Sequence, residues 1–205
     1  MKNIKQLIAH TFLAATTATF PTKVHADFIS GELFGSNKGA LLEVKGSASI
    51  GDQPNAQYFT RVRRFRGYDN KNTSFMQNEV SLGSWHGLRL LGQGRFVGYR
   101  LVPQAGVSYF TKCEKKSLYI ALTSSLHKDT LPELLILGNI PMTQNTVVEL
   151  EQIISANQDV AKATSRAHLG YTISNFTLGV AGEADYGTKV DLVPKIGLYV
   201  RLKSK

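Results

Sequence analysis

The chain has one cysteine, Cys113, in 205 residues, and only six prolines. A single cysteine excludes an internal disulfide framework and any cysteine-only metal cluster. Beyond residue 26 no apolar run is long enough for a membrane helix, which needs about 20 residues, and helical periodicity is scarce. There is no Walker or Rossmann glycine pattern and no Gly-x-Ser-x-Gly nucleophile elbow. Three histidines remain after residue 26, His86, His127 and His168, without paired metal-ligand spacing. No metal and no cofactor are expected. The chain is 42% hydrophobic, which excludes intrinsic disorder.

The first 26 residues read as an address. Lys2 and Lys5 precede an apolar, threonine-containing stretch from Leu7 to Phe20, and Val24-His25-Ala26 places small residues at −3 and −1. This is the layout of a secretory signal peptide cut after Ala26. It leaves residues 27–205 as a single domain. The segment holds three of the 24 Lys+Arg and none of the 15 Asp+Glu, so cleavage lowers the formal charge from +9 to +6. That modest basicity in an exported chain gives no nucleic-acid signal.

The rest of the chain alternates with period two. Phe176, Leu178, Val180, Gly182, Ala184 and Tyr186 occupy one face of a segment whose other face is Thr177, Gly179, Ala181, Glu183 and Asp185. Leu192, Pro194, Ile196, Leu198, Val200 and Leu202 likewise oppose Lys195, Gly197, Tyr199 and Arg201. Successive strand side chains point to opposite sides. The pattern predicts strands near 27–34, 40–50, 57–68, 75–85, 88–98, 102–112, 117–126, 133–143, 146–158, 164–174, 176–187 and 190–203. Most exceed the soluble mode of about 5–6 residues and match the 9–11 or so of a membrane-crossing strand. Tight turns at His86-Gly87, Cys113–Lys116, Gln144-Asn145 and Ser174-Asn175 fall on the side of the C-terminus. Longer polar loops at Asp69–Ser74, His127–Pro132 and Asp159–Ala163 fall on the other. That asymmetry belongs to outer-membrane barrels. The expected fold is all-β: an up-and-down antiparallel transmembrane barrel of about twelve strands (10–12). Alternation alone does not say which face is inside, so a soluble periplasmic lipocalin-like binder of an apolar ligand is the alternative.

Together with the leader and the long strands, the ending Gly197-Leu198-Tyr199-Val200-Arg201-Leu202 resembles bacterial outer-membrane β-barrel proteins. The resemblance is architectural and covers most of residues 27–205. It implies a Gram-negative outer-membrane location, contact with outer-membrane lipids and lipopolysaccharide, and insertion by the barrel assembly machinery. Such barrels usually finish on an aromatic residue; this chain finishes Leu202-Lys203-Ser204-Lys205.

The most unusual stretch is Arg61-Val62-Arg63-Arg64-Phe65-Arg66. Arginine on a lipid face costs roughly 2–4 kcal/mol at the midplane, so a bulge near Arg63-Arg64 is expected to turn most of them inward. Arg89, Arg95, Arg166, Lys195 and Arg201 also alternate onto the inner face. These nine are the candidate lumen and anion-binding residues of a small passive, porin-like channel. Inward acids, including Glu43, Glu79, Glu133, Glu149, Glu151, Glu183 and Asp185, supply a second reading, a salt-bridged and non-conducting structural or surface barrel. In a third, arginines at the outer rim hold lipopolysaccharide phosphates. Catalysis is not expected; a lipid-modifying hydrolase built on Ser125 and His127, which share a face, is the enzymatic alternative. Trp85, Tyr99, Tyr171 and Tyr186 suit interfacial girdles.

Overall fold

The computed structural model describes residues 24–50, 56–69, 72–97, 100–125, 131–157, 159–188 and 190–203. They form twelve strands: β1 (Val24–Ser36), β2 (Gly39–Ile50), β3 (Ala56–Gly67), β4 (Asn72–Trp85), β5 (Leu88–Val97), β6 (Arg100–Cys113), β7 (Lys116–Ser125), β8 (Glu133–Pro141), β9 (Thr146–Ala156), β10 (Ala161–Ile173), β11 (Phe176–Gly187) and β12 (Val190–Lys203). Each pairs antiparallel with its sequence neighbours, and β1 pairs with β12 to close an up-and-down barrel. Closure matters because lipid offers no hydrogen bonds to a free sheet edge. The seam joins Phe28–Gly35 to Ile196–Lys203, so it lies wholly after Ala26. A register shift between Ala26 and Phe28 marks the point where β1 enters the seam.

β1 and β12 place the start and finish of the barrel at one end. Tight turns gather there: His86-Gly87 between β4 and β5, Glu114-Lys115 between β6 and β7, and Ser174-Asn175 between β10 and β11. His86, Glu114 and Ser174 each take positive φ, at 50°, 54° and 57°. Gly87 follows at φ 91°, where a Cβ would lie 2.3 Å from the Phe110 carbonyl oxygen. The expected segregation of turns is incomplete. Asn37-Lys38 joins β1 to β2 at the opposite end in two residues, closed by Lys38 N–H donating to Ser36 Oγ at 3.2 Å.

The barrel is turned inside out relative to a soluble protein. Ile196, Leu192 and Leu198 on β12 are 78%, 66% and 61% exposed, and Leu178 on β11 is 53% exposed. In contrast Glu43, Arg61, Arg166 and Glu183 are buried inside. An apolar exterior this extensive needs lipid around it. This overturns the soluble alternative, in which the same alternation would have put the apolar face inward. Tyr171 and Tyr186 project outward near opposite ends of the wall, as girdle residues do. Tyr99 and the side chain of Trp85 lie outside the described residues.

The candidate functional site is a charge-balanced lumen

The inner face is polar along most strands and apolar in two patches. Phe34, Leu41, Ala181 and Tyr199 form one, with Phe65 packed against them; Leu91, Ala121 and Leu135 form the other. Tyr199 lies flat on the wall because Gly170 and Gly179 leave room for it. A Cβ on Gly170 would sit 2.1 Å from the Tyr199 hydroxyl, and one on Gly179 would sit 2.5 Å from its ring.

Between the apolar patches runs a network of ion pairs. Arg166 on β10 is its centre. Its Nη1 lies 2.7 Å from Glu43, 3.2 Å from Glu32 and 3.3 Å from Glu151, and its Nη2 bonds Glu183. Lys45 Nζ reaches Glu32 and Glu43 at 2.9 Å and Glu151 at 3.0 Å. Arg61 Nη2 donates to Glu151 Oε1 at 2.5 Å. Arg63 spans Glu43 at 2.7 Å and Glu183 at 2.9 Å. Lys195 bonds Glu183 at 2.5 Å and also Asp185. In the ring order, β3 and β9 are six strands apart in either direction, so the Arg61–Glu151 pair crosses the full lumen. Arg61 and Arg166 also stack over Phe59 and Phe34 at 5.7 and 5.3 Å. Such contacts favour a cation where water is displaced.

The remaining inner charges are held by ion pairs between strands three apart or by neutral polar side chains. Arg95 bonds Glu133, Arg201 bonds Glu149, and Arg89 bonds Gln57. Glu79 accepts from Tyr119 at 2.8 Å and from Gln93 at 3.1 Å. Among the described residues, eight cations (Lys45, Arg61, Arg63, Arg89, Arg95, Arg166, Lys195, Arg201) share the interior with eight carboxylates (Glu32, Glu43, Glu79, Glu133, Glu149, Glu151, Glu183, Asp185), and Asp27, held by Ser47 and Ser49 Oγ at 2.8 and 3.0 Å, adds a ninth towards the termini's end. The physical reason is direct: a charge removed from water needs a partner, or its desolvation is uncompensated.

Seven of the nine expected lumen residues therefore point inward: Arg61, Arg63, Arg89, Arg95, Arg166, Lys195 and Arg201. Arg64 and Arg66 do not. The expected bulge is absent, because β3 pairs without a shift to β2 over Ala56–Gly67 and to β4 over Ala56–Arg66. Unbroken alternation seats Phe65 inside against Leu41 and puts Arg64 and Arg66 outside, opposite Leu42 and Ala40. Glu32, Lys45 and His168 belong to the lumen and were absent from the expected set. The signal was available: Ser30, Glu32 and Phe34 share one face of β1, and Lys45 shares one with Glu43. In the enzymatic alternative, Ser125 donates to the Pro103 carbonyl at 3.0 Å, and His127 lies outside the described residues.

A closed twelve-stranded antiparallel meander, apolar outside and charged within, defines the class: an outer-membrane-type β-barrel. Solved structures of bacterial outer-membrane barrels share the fold. The NanC porin aligns with TM-score 0.64 and 8% identity over 87% of this chain and 100% of its own. The KdgM porin aligns with TM-score 0.62 and 8% identity over 87% of this chain and 99% of its own. The outer membrane phospholipase A of Escherichia coli aligns with TM-score 0.54 and 10% identity over 92% and 94%. No protein-family model matches the chain, and no curated protein matches it in sequence.

Proposed function

We propose that the protein is an outer-membrane channel of the porin kind, passing small polar solutes through a narrow, charge-balanced lumen. The observation that carries this reading is the charged interior inside a lipid-facing wall, in a fold similar to the KdgM and NanC porins over nearly their whole lengths. The KdgM porin has also been solved in complex with disordered oligogalacturonate. A polyanion of that kind is not the solute favoured here, since the inner arginines are matched by carboxylates. The chain reaches the outer membrane after cleavage behind Ala26, is inserted there by the barrel assembly machinery, and has no enzymatic role.

Planar-bilayer recording of the purified barrel tests this. The expected result is small current steps with a reversal potential near zero in a salt gradient. A specific observation favours a second reading. The Arg61–Glu151 pair closes the lumen across its width, as in a non-conducting structural barrel. Absence of current steps from protein that remains heat-modifiable on a gel selects that reading.

A further inference from the structure

Arg64 and Arg66 are the cations of β3 that the lumen does not use. Two residues apart on one face, their Cα atoms lie about 7 Å apart along the strand. Their outward neighbours are Leu42 and Ala40 on β2, and Ser74 and Asn72 on β4. None is acidic. Among the described residues no hydrogen bond or ion pair holds either guanidinium, although Arg63, adjacent on the inner face, reaches two glutamates. The strip beneath them is apolar: Val62 lies opposite Val44 and Met76. Both arginines lie at the end of β3 away from the barrel's termini.

We infer that Arg64 and Arg66 form a docking site for the phosphorylated headgroup of lipid A in the outer leaflet. Its acyl chains would run down the Val62, Val44 and Met76 strip. The inference rests on the outer-membrane placement proposed above; an even strand count with tight turns at the termini's end sets the termini in the periplasm and this end at the cell surface. Charge complementarity selects the occupant. Two guanidiniums with no partner among the described residues, at the edge of an apolar belt, call for an anion carried on hydrocarbon. Guanidinium–phosphate pairs are bidentate and stronger than neutral hydrogen bonds. At that depth an arginine costs only about 0–1 kcal/mol by itself, so the phosphate contact decides whether the site is occupied.

The test is native mass spectrometry of the full barrel in detergent, titrated with bis-phosphorylated lipid A. The wild type should retain it, and R64Q/R66Q should bind roughly tenfold or more weakly for each guanidinium lost. R64K/R66K should fall between, keeping charge without the planar fork. Dephosphorylated lipid A should bind the wild type no better than bis-phosphorylated lipid A binds R64Q/R66Q. Heat-modifiable migration of each variant verifies that it folds. Equal retention by the wild type and R64Q/R66Q overturns the inference. So does retention that ignores the phosphates, or equal competition from phosphatidylglycerol. Displacement by millimolar inorganic phosphate would reassign the site to a free anion and also overturns it. Conductance should be unchanged in R64Q/R66Q, so this site and the channel reading fail separately. A chain that yields no heat-modifiable membrane barrel refutes the placement itself.

Discussion

Arg166→Gln is the sharpest perturbation of the lumen. The Arg166 side chain has no solvent exposure, and four carboxylates, Glu32, Glu43, Glu151 and Glu183, converge on it. Lys45, Arg61, Arg63 and Lys195 still neutralise parts of that cluster after the change. Removing one partner from a buried pair nevertheless costs about 3–5 kcal/mol, because the other charge stays desolvated. Glutamine keeps two donors and holds the loss near the lower value. With a slope of about 1–3 kcal/mol per molar urea, the unfolding midpoint should fall by about 1–3 M. The assay is urea titration of the barrel refolded in lipid vesicles, read by tryptophan fluorescence and by gel migration. Arg64→Gln, on the outer face, serves as the reference and should move the midpoint little. Adding Glu43→Gln to Arg166→Gln should recover part of the loss, with a coupling of about 0.5–3 kcal/mol. If Arg166→Gln and Arg64→Gln shift the midpoint equally, the network is hydrated rather than desolvated. The reading of a desolvated, tightly paired network in the lumen would then fail.

Glu43→Gln and Glu151→Gln each leave one inner cation in excess, so reversal potentials should move toward anion selectivity, whereas Arg166→Gln should move them toward cations. Gly170→Ala drives a Cβ into Tyr199 and should cost about 1–3 kcal/mol by overpacking. Adding Tyr199→Leu should restore most of it, because the colliding atoms are side-chain atoms; failure of the rescue would place the strain in the backbone. Leu198→Asp puts a charge on the lipid-facing wall and should block membrane assembly, measured as loss of the heat-modifiable band. Normal assembly would argue that this face is covered by something other than lipid. Cys113 is an exposed thiol on the last residue of β6, beside the tight turn to β7 at the termini's end. An impermeant maleimide should label it only after the outer membrane is breached, and labelling on intact cells would invert the orientation.

Much of the barrel was legible because its physics is local. A strand that faces lipid on one side and a polar lumen on the other must alternate, and Leu178 through Tyr186 against Thr177 through Asp185 does so, with Ala181 the one apolar side chain on the inner side. Every expected strand is present, with ends displaced by up to three residues: β1, β4 and β10 start three residues early, and β8 and β9 stop two residues short. The β3 arginines show where local reasoning stops. Four in six residues suggested a bulge to hide them, yet β3 is held on both sides by regular ladders, and Phe65 has an inner partner in Leu41. Keeping the register loses no hydrogen bonds, while Arg64 and Arg66 sit near the strand's end, where the cost of facing outward is small. Partners across the lumen were beyond reach for another reason. Arg61 and Glu151 are 90 residues apart and meet only because ring closure sets β3 opposite β9.

The number of arginines was the weakest guide to the lumen. The arginine strand, with the other cations that alternate inward, pointed to an anion-attracting pore. Burial imposes the opposite constraint. A guanidinium held between strands with little water demands a carboxylate, so inner arginines recruit glutamates from distant strands until the interior balances. The excess basic charge then has to reside at the rims and on the outer wall, where water and lipid headgroups can neutralise it. Arg63 and Arg64, adjacent in sequence, fall on either side of that division: the first lies between Glu43 and Glu183, and the second faces outward with no acid opposite it. Selectivity in this barrel should therefore follow which pair is broken, not how many arginines it contains.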